Sequence, residues 1–373
     1  MLPFIDLQAQ RRRLGEPLNQ AILAAVANGA WINGPQVKEF EKALADYCGV
    51  KHAVACANGT DALLLVLMAW GIGPGDAVFV PTFTFAATGE IVALAGATPV
   101  FVDILPDTYN MDPTSLEAAV AKIKQDGKLK PKAVIPVDLF GQPADYDQIE
   151  PIARREGLKL LCDTAQGFGG VYKGKTTGSI GDAAATSFFP AKPLGCYGDG
   201  GATFTDDDDT AAILRSLCNH GAGSDRYDNI RIGMNSRLDT IQAAILLEKI
   251  KIFKDEVAVR GRVAARYNEL LGKSHRIVVP RLIDGVTSTW AQYTIQVPDR
   301  PKLMDDLKAA GIPTAIYYPI PMSKQQAYAK FPAVPTPNAE KIGRHVVSLP
   351  FHPYLDETTQ DKIIEAVLAS VGG

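Results

Sequence analysis

Short apolar runs bounded by turn residues recur through the first two thirds of the chain, and stretches with helical spacing of apolar positions fill the gaps. The runs His52–Ala57, Ala77–Val80, Pro99–Ile104, Lys132–Val137, Leu158–Cys162, Ala184–Phe189 and Gly201–Thr205 read as strands. Between them, Gln36–Tyr47, Thr60–Trp70, Phe85–Leu94, Leu116–Lys124 and Ile149–Glu156 read as helices. This alternation predicts an α/β fold with crossover helices. Runs that are β-branched and apolar throughout suit strands covered on both faces. Turn residues agree: Gly73-Pro74-Gly75-Asp76 divides a helix from a strand, and Gly167–Gly170 follows another strand.

From about Ser236 the pattern changes. Residues 236–253 read as one helix with a broad apolar face and Asp255–Leu271 as a second. Thr289–Val297, Lys302–Gly311, Thr314–Tyr318 and Glu357–Val371 then suggest a compact α+β unit. A boundary near residue 250 follows, with a large α/β domain over 1–250 and a small C-terminal domain over 251–373.

Composition narrows the function. The chain is 47% hydrophobic and 21% charged, with a net charge of −3. That balance argues against a nucleic-acid surface or a polybasic membrane patch. No uninterrupted apolar run approaches the roughly 18 residues of a membrane span, and the N-terminus lacks the order of a secretory signal. A cytoplasmic protein is expected. Five scattered cysteines make no disulfide framework, and five histidines lack metal-ligand spacing, so no metal is expected.

Some patterns have plain explanations. The acidic run Asp206–Asp209 precedes a helical stretch, where carboxylates cap free amides and favour the helix dipole. Gly71-Ile72-Gly73-Pro74-Gly75 mimics a dinucleotide-binding fingerprint but lies between a helix and a strand, the reverse of the required order.

Three segments carry candidate chemistry. In Cys56-Ala57-Asn58-Gly59-Thr60-Asp61 a strand ends, a glycine turns the chain and a helix begins, which makes an anion site at the helix start or an ordinary cap. Asp163 ends the buried run Leu160-Leu161-Cys162, an expensive place for an acid without a cationic or hydrogen-bonding partner. A protonated pyridine nitrogen would satisfy it, as would a structural ion pair. Lys192 follows a buried strand between Pro190 and Pro193, with four glycines by residue 201. A lysine held in apolar surroundings has a lowered pKa and forms Schiff bases with carbonyls; a loop lysine at the surface is the plain alternative. Together the three are the parts pyridoxal phosphate requires: a phosphate cradle, a ring-nitrogen partner and an amine. Phe85 is placed to stack on the ring and Ser187 to reach the phosphate.

With these motifs in order, the chain resembles the fold-type-I pyridoxal-phosphate aminotransferases of the DegT/DnrJ/EryC1/StrS family. The resemblance runs from Phe4-Ile5-Asp6-Leu7 through Asn58–Leu63, Asp163–Gln166, Ser187–Gly201 and Gly233–Asp239. It continues through Tyr318-Pro319-Ile320-Pro321 to Leu349–Tyr354. It implies a large mixed-sheet domain, a smaller α+β domain and a homodimer. Implied roles are Lys192 as Schiff-base lysine, Asp163 as pyridinium partner and Gln166 beside the ring hydroxyl. Gly59, Thr60 and Ser187 match phosphate contacts, Phe85 the stacking aromatic, and Asn235 a residue reaching the neighbouring subunit's phosphate. Arg237 matches an anion-binding position, with a surface ion pair to Asp239 or Glu248 as the alternative. Tyr317 and Tyr318 border the sugar site.

The implied reaction moves the amino group of L-glutamate to a nucleotide-linked keto sugar. Residues 187–202 and 231–247 look most like members acting on a UDP-linked 2-acetamido-3-oxo-glucuronate, used in bacterial surface polysaccharides. Two positions depart from close members: Tyr317 stands where histidine is usual, and Ala191 where serine is common. The first leaves another 3-keto or 4-keto sugar as an alternative acceptor. A non-catalytic pyridoxal-phosphate-binding regulator is the alternative from outside enzymology.

Overall fold

The computed structural model describes residues 2–225 and 227–372. Seven strands build the main sheet: β1 (His52–Cys56), β2 (Asp76–Pro81), β3 (Thr98–Val102), β4 (Lys130–Val134), β5 (Lys159–Asp163), β6 (Ala183–Ser187) and β7 (Gly201–Thr205). Their order across the sheet is β1-β7-β6-β5-β4-β2-β3. The pairs among β2–β6 are parallel, while β7 runs antiparallel to both β1 and β6.

Both faces of the sheet are buried, and this explains the unbroken apolar strands. Side chains alternate between two cores. Ala53, Ala55, Phe79, Leu160 and Cys162 point into one. Val54, Cys56, Val78, Val80 and Leu161 point into the other. Each strand expected from the sequence is present, with ends shifted by a few residues.

The long helix is where expectation and structure part. Thr240–Leu271 is one continuous 32-residue helix rather than two. No glycine or proline interrupts residues 250–258, so the hydrogen-bond ladder has no reason to stop. Its first half buries Leu246 and Phe253 against the main sheet. Its second half buries Ala264, Tyr267 and Leu271 in a separate C-terminal core with Tyr293, Leu349 and Ile363.

A helix over Leu7–Ala27 was not expected either. Asp6 caps it by accepting the Ala9 amide at 2.8 Å, and it bends at Gly15, whose φ is 57°. Leu14 and Leu18 pack on Ile245 of the long helix. The Gln10 amide donates to both oxygens of the buried Glu256. The acidic run behaves as a cap: Asp207 accepts the Thr210 amide and Asp208 pairs with His52 at 2.7 Å. All five cysteines are free and buried. Among the described residues, no helix is long and apolar enough to cross a membrane.

Candidate active site

The carboxyl ends of β1, β2, β5 and β6 reach one edge of the sheet, where an α/β sheet leaves a crevice. A cavity of about 520 Å³ lies there. After β1 the chain turns directly into the helix Gly59–Ala69, capped by Asn58, whose Oδ1 accepts the Asp61 amide at 2.8 Å. The amides of Gly59 and Thr60 have no partner among the described residues, and both residues line the cavity. Free amides at a helix start, reinforced by the helix dipole, attract an anion. Gly59 is required by distance: a β-carbon there would lie 2.5 Å from Ser187 Cβ. Its absence lets the helix start close onto the end of β6, which brings Ser187 into the same wall.

Asp163 closes β5 and is 4% exposed. Its carboxylate accepts the Thr88 hydroxyl at 2.9 Å and the Ala165 amide at 3.1 Å. Burial pushes its pKa up, while those two donors and the charge of Lys192 pull it down. Lys192 is half-buried on the loop between β6 and β7 and lines the cavity. Burial lowers its pKa and Asp163 opposes the shift. The neutral, nucleophilic amine is therefore more populated than on an exposed lysine.

The loop that carries Lys192 is held at both ends. The Phe188 amide donates to Gly200 O, and the Cys196 amide donates to Phe188 O. Lys249, buried on the long helix, donates to Gly195 O and lies 4.3 Å from the centre of the Tyr197 ring. Desolvation brings Lys249 down to about 8.

Phe85, Tyr317 and Tyr318 form an aromatic wall. Gln166, nearly fully buried, accepts the Phe140 amide at 2.8 Å and donates to the Tyr318 hydroxyl at 3.1 Å. Asn235 and Arg237 lie outside this cavity. The Arg237 guanidinium donates to Asn235 Oδ1 and lines a separate groove with Arg231 and His220. The surface ion pair considered for Arg237 is not formed among the described residues, and Glu248 pairs with Lys251 instead.

Sequence reading missed Thr88, Gln292 and Asp138. Thr88 and Gln292 carry no local signal, because each acquires its setting through packing. Asp138 had one: like Asp163 it follows an apolar run, Ile135-Pro136-Val137. It is fully buried and accepts the Tyr146 hydroxyl at 2.6 Å, and desolvation raises it to about 7.

On this fold, a lysine and a strand-end acid beside an open helix start define an aminotransferase that works through pyridoxal phosphate. Comparison with known proteins agrees. The family model described as the DegT/DnrJ/EryC1/StrS aminotransferase family matches residues 12–368, and the chain belongs to that family. It is 50% identical over 370 residues to the UDP-2-acetamido-2-deoxy-3-oxo-D-glucuronate aminotransferase of Pseudomonas aeruginosa, covering 99% of this chain and 100% of the relative. A DegT DnrJ EryC1 StrS aminotransferase structure from Brucella abortus superposes with a TM-score of 0.98 at 54% identity, covering 100% of both chains. The Bacillus subtilis NtdA structure, with bound cofactor PMP, superposes at 0.89 and 30% identity, covering 100% of this chain and 85% of that one.

Proposed function

We propose that this enzyme transfers the amino group of L-glutamate to a nucleotide-linked keto sugar through pyridoxal 5′-phosphate. The acceptor we assign is UDP-2-acetamido-2-deoxy-3-oxo-D-glucuronate, on the way to bacterial surface polysaccharide. The observation that carries the reading is the meeting of Lys192 and Asp163 in one cavity beside the open start of the Gly59–Ala69 helix.

The residues fit the cofactor. The unpaired Gly59 and Thr60 amides and the Ser187 hydroxyl suit a phosphate, and the desolvated Asp163 suits a protonated ring nitrogen. When bound, pyridoxal phosphate supplies an aldehyde to receive amino groups and a ring that withdraws electrons. Asp163 would keep the proton on the ring nitrogen, and the Thr88 hydroxyl and Ala165 amide hold it in place and favour its charged form against the burial that raises its pKa. Phe85 would offer an aromatic face to the ring and Gln166 a partner to its hydroxyl, both lining the cavity. Lys192 Nζ would hold the cofactor's aldehyde, and the same amine would take the α-proton of the donor amino acid and give a proton to the acceptor carbon. Burial lowers its pKa, the direction that favours proton transfer through this amine.

Asn235 and Arg237, outside their own chain's cavity, act on the site of a second subunit. Exposed Trp31, Ile32, Phe189 and Ile232 supply apolar surface for a homodimer. We place the reaction in the cytoplasm, where five free buried thiols are stable. The half-buried Tyr317 lines the acceptor region and sets which keto sugar is preferred.

The test is the visible spectrum with pyridoxal phosphate. L-glutamate should bleach the cofactor band, and the UDP-linked 3-keto uronate should restore it. Lys192→Ala should keep the fold and lose turnover by at least about a thousandfold. Restoration only by a different keto sugar would move the acceptor. A bound cofactor that glutamate never bleaches would favour the regulator reading.

A further inference from the structure

Lys249 is 1% exposed, and burying an ammonium is costly unless the charge is put to use. Among the described residues no carboxylate bonds to it. Glu256, two turns further along the same helix, acts on it only through its charge, and Gln10 and Tyr354 already donate to that carboxylate. What Lys249 holds is the loop after β6. Its Nζ donates to Gly195 O at 2.5 Å and faces the Tyr197 ring. Two turns earlier on the same helix, Gln242 accepts the Tyr197 amide at 2.8 Å, so the loop is seated on the helix at a second point.

The carbonyl that Lys249 holds lies where the loop closes on itself. Lys192 rides between Phe189 and Gly195: its amide donates to Phe189 O at 2.8 Å, and the Cys196 amide returns to Phe188 O at 2.8 Å. Gly195 packs so closely that a β-carbon there would lie 2.5 Å from Pro190 O and 2.6 Å from Phe189 O. Lys249 is not a lining residue of the cavity, so its effect on chemistry must pass through this loop. A methionine would fill the same space without a buried charge, and packing alone does not call for a lysine. We infer that Lys249 is a positioning residue: by holding Gly195 O and the Tyr197 ring, it fixes the loop that aims Lys192 Nζ at the cofactor's aldehyde. This rests on the role given to Lys192 above.

The experiment separates binding of the cofactor from its reaction with Lys192. Pyridoxamine phosphate has the phosphate and the ring but no aldehyde, so its affinity for the cofactor-free protein reports the cradle and Asp163. The rate at which the pyridoxal phosphate band appears in stopped flow reports the Lys192 amine. Lys249→Met should leave the affinity for pyridoxamine phosphate within about twofold and slow the band by at least about tenfold. A loop that merely became less stable would weaken both measurements together. Tyr197→Leu, at a partly exposed ring, removes one of the two holds and should slow the band about threefold with binding unchanged. It tests the proposal even where melting curves show the Met variant unfolded. Equal losses in binding and band formation, or a wild-type rate in either folded variant, would overturn the proposal. No band in the wild type would remove the role of Lys192 and this proposal with it. A wild-type band that Lys249→Met forms at the normal rate would remove the proposal alone.

Discussion

His352 shows how one buried side chain writes a pH dependence into the whole protein. It is 3% exposed, and neither ring nitrogen has a partner. Burial lowers its pKa to about 4; Arg260 acts in the same direction, and Asp6 and Asp356 act against it. Between about 4 and 6.5 the unfolded chain takes up a proton at this position that the folded chain refuses. Stability is therefore full above 6.5, falls as the pH drops toward 4, and levels off below. The shift corresponds to about 3 kcal/mol at most. His352→Gln should flatten the decline in Tm between pH 6.5 and 4 by a few degrees, measured by thermal melts across that range. An unchanged slope would show that His352 is not the group responsible. Asp163 is governed by the same desolvation, which raises its pKa, but Ala165, Thr88 and Lys192 offset part of the cost at the position where the proposed cofactor needs a carboxylate.

At the scale of elements, the site depends on how closely a helix start can approach a strand end. Gly59 opens the Gly59–Ala69 helix against Ser187 at the end of β6, and Gly201 opens β7 against the Asn58 carbonyl. A β-carbon at either glycine would fall 2.5 Å or less from its neighbour. Gly59→Ala must push the helix start away from Ser187 and widen the anion cradle. We expect a folded protein whose affinity for pyridoxal phosphate drops at least about tenfold, read from the cofactor band in a titration. Affinity at the wild-type level would mean the phosphate sits elsewhere. The loop between β6 and β7 is a second such element. Its prolines and glycines shape it, but Lys249 from the distant long helix fastens it through Gly195 O.

At the scale of the molecule, Asn235 and Arg237 sit beyond the cavity that holds Lys192. If each site takes Lys192 from one subunit and Asn235 from the other, two inactive variants should complement. Refolding equal amounts of Lys192→Ala and Asn235→Ala together should give about a quarter of wild-type activity, since half the dimers are mixed and each has one intact site. Activity no higher than the sum of the separate variants would confine each site to one chain.

The strands were legible because burial on both faces leaves an apolar run that turn residues delimit. Val54 and Ala55 enter opposite cores, yet both are apolar and read as one strand. Lys192, Asp163 and the Gly59 turn were legible because each breaks a local rule: a charge after a buried strand, or a glycine where a helix begins. The helix Leu7–Ala27 was not, since Gly15 and Pro17 interrupt its period and its apolar face is covered by residues more than two hundred positions away. Thr88 and Gln292 were equally silent, because a threonine or glutamine looks the same in sequence wherever it points. The sequence by itself determined the sheet, the aminotransferase family and the residues whose local chemistry is costly. Only the tertiary structure decided which ordinary polar side chains face the cavity, since that depends on contacts between distant elements and not on the pattern along the chain.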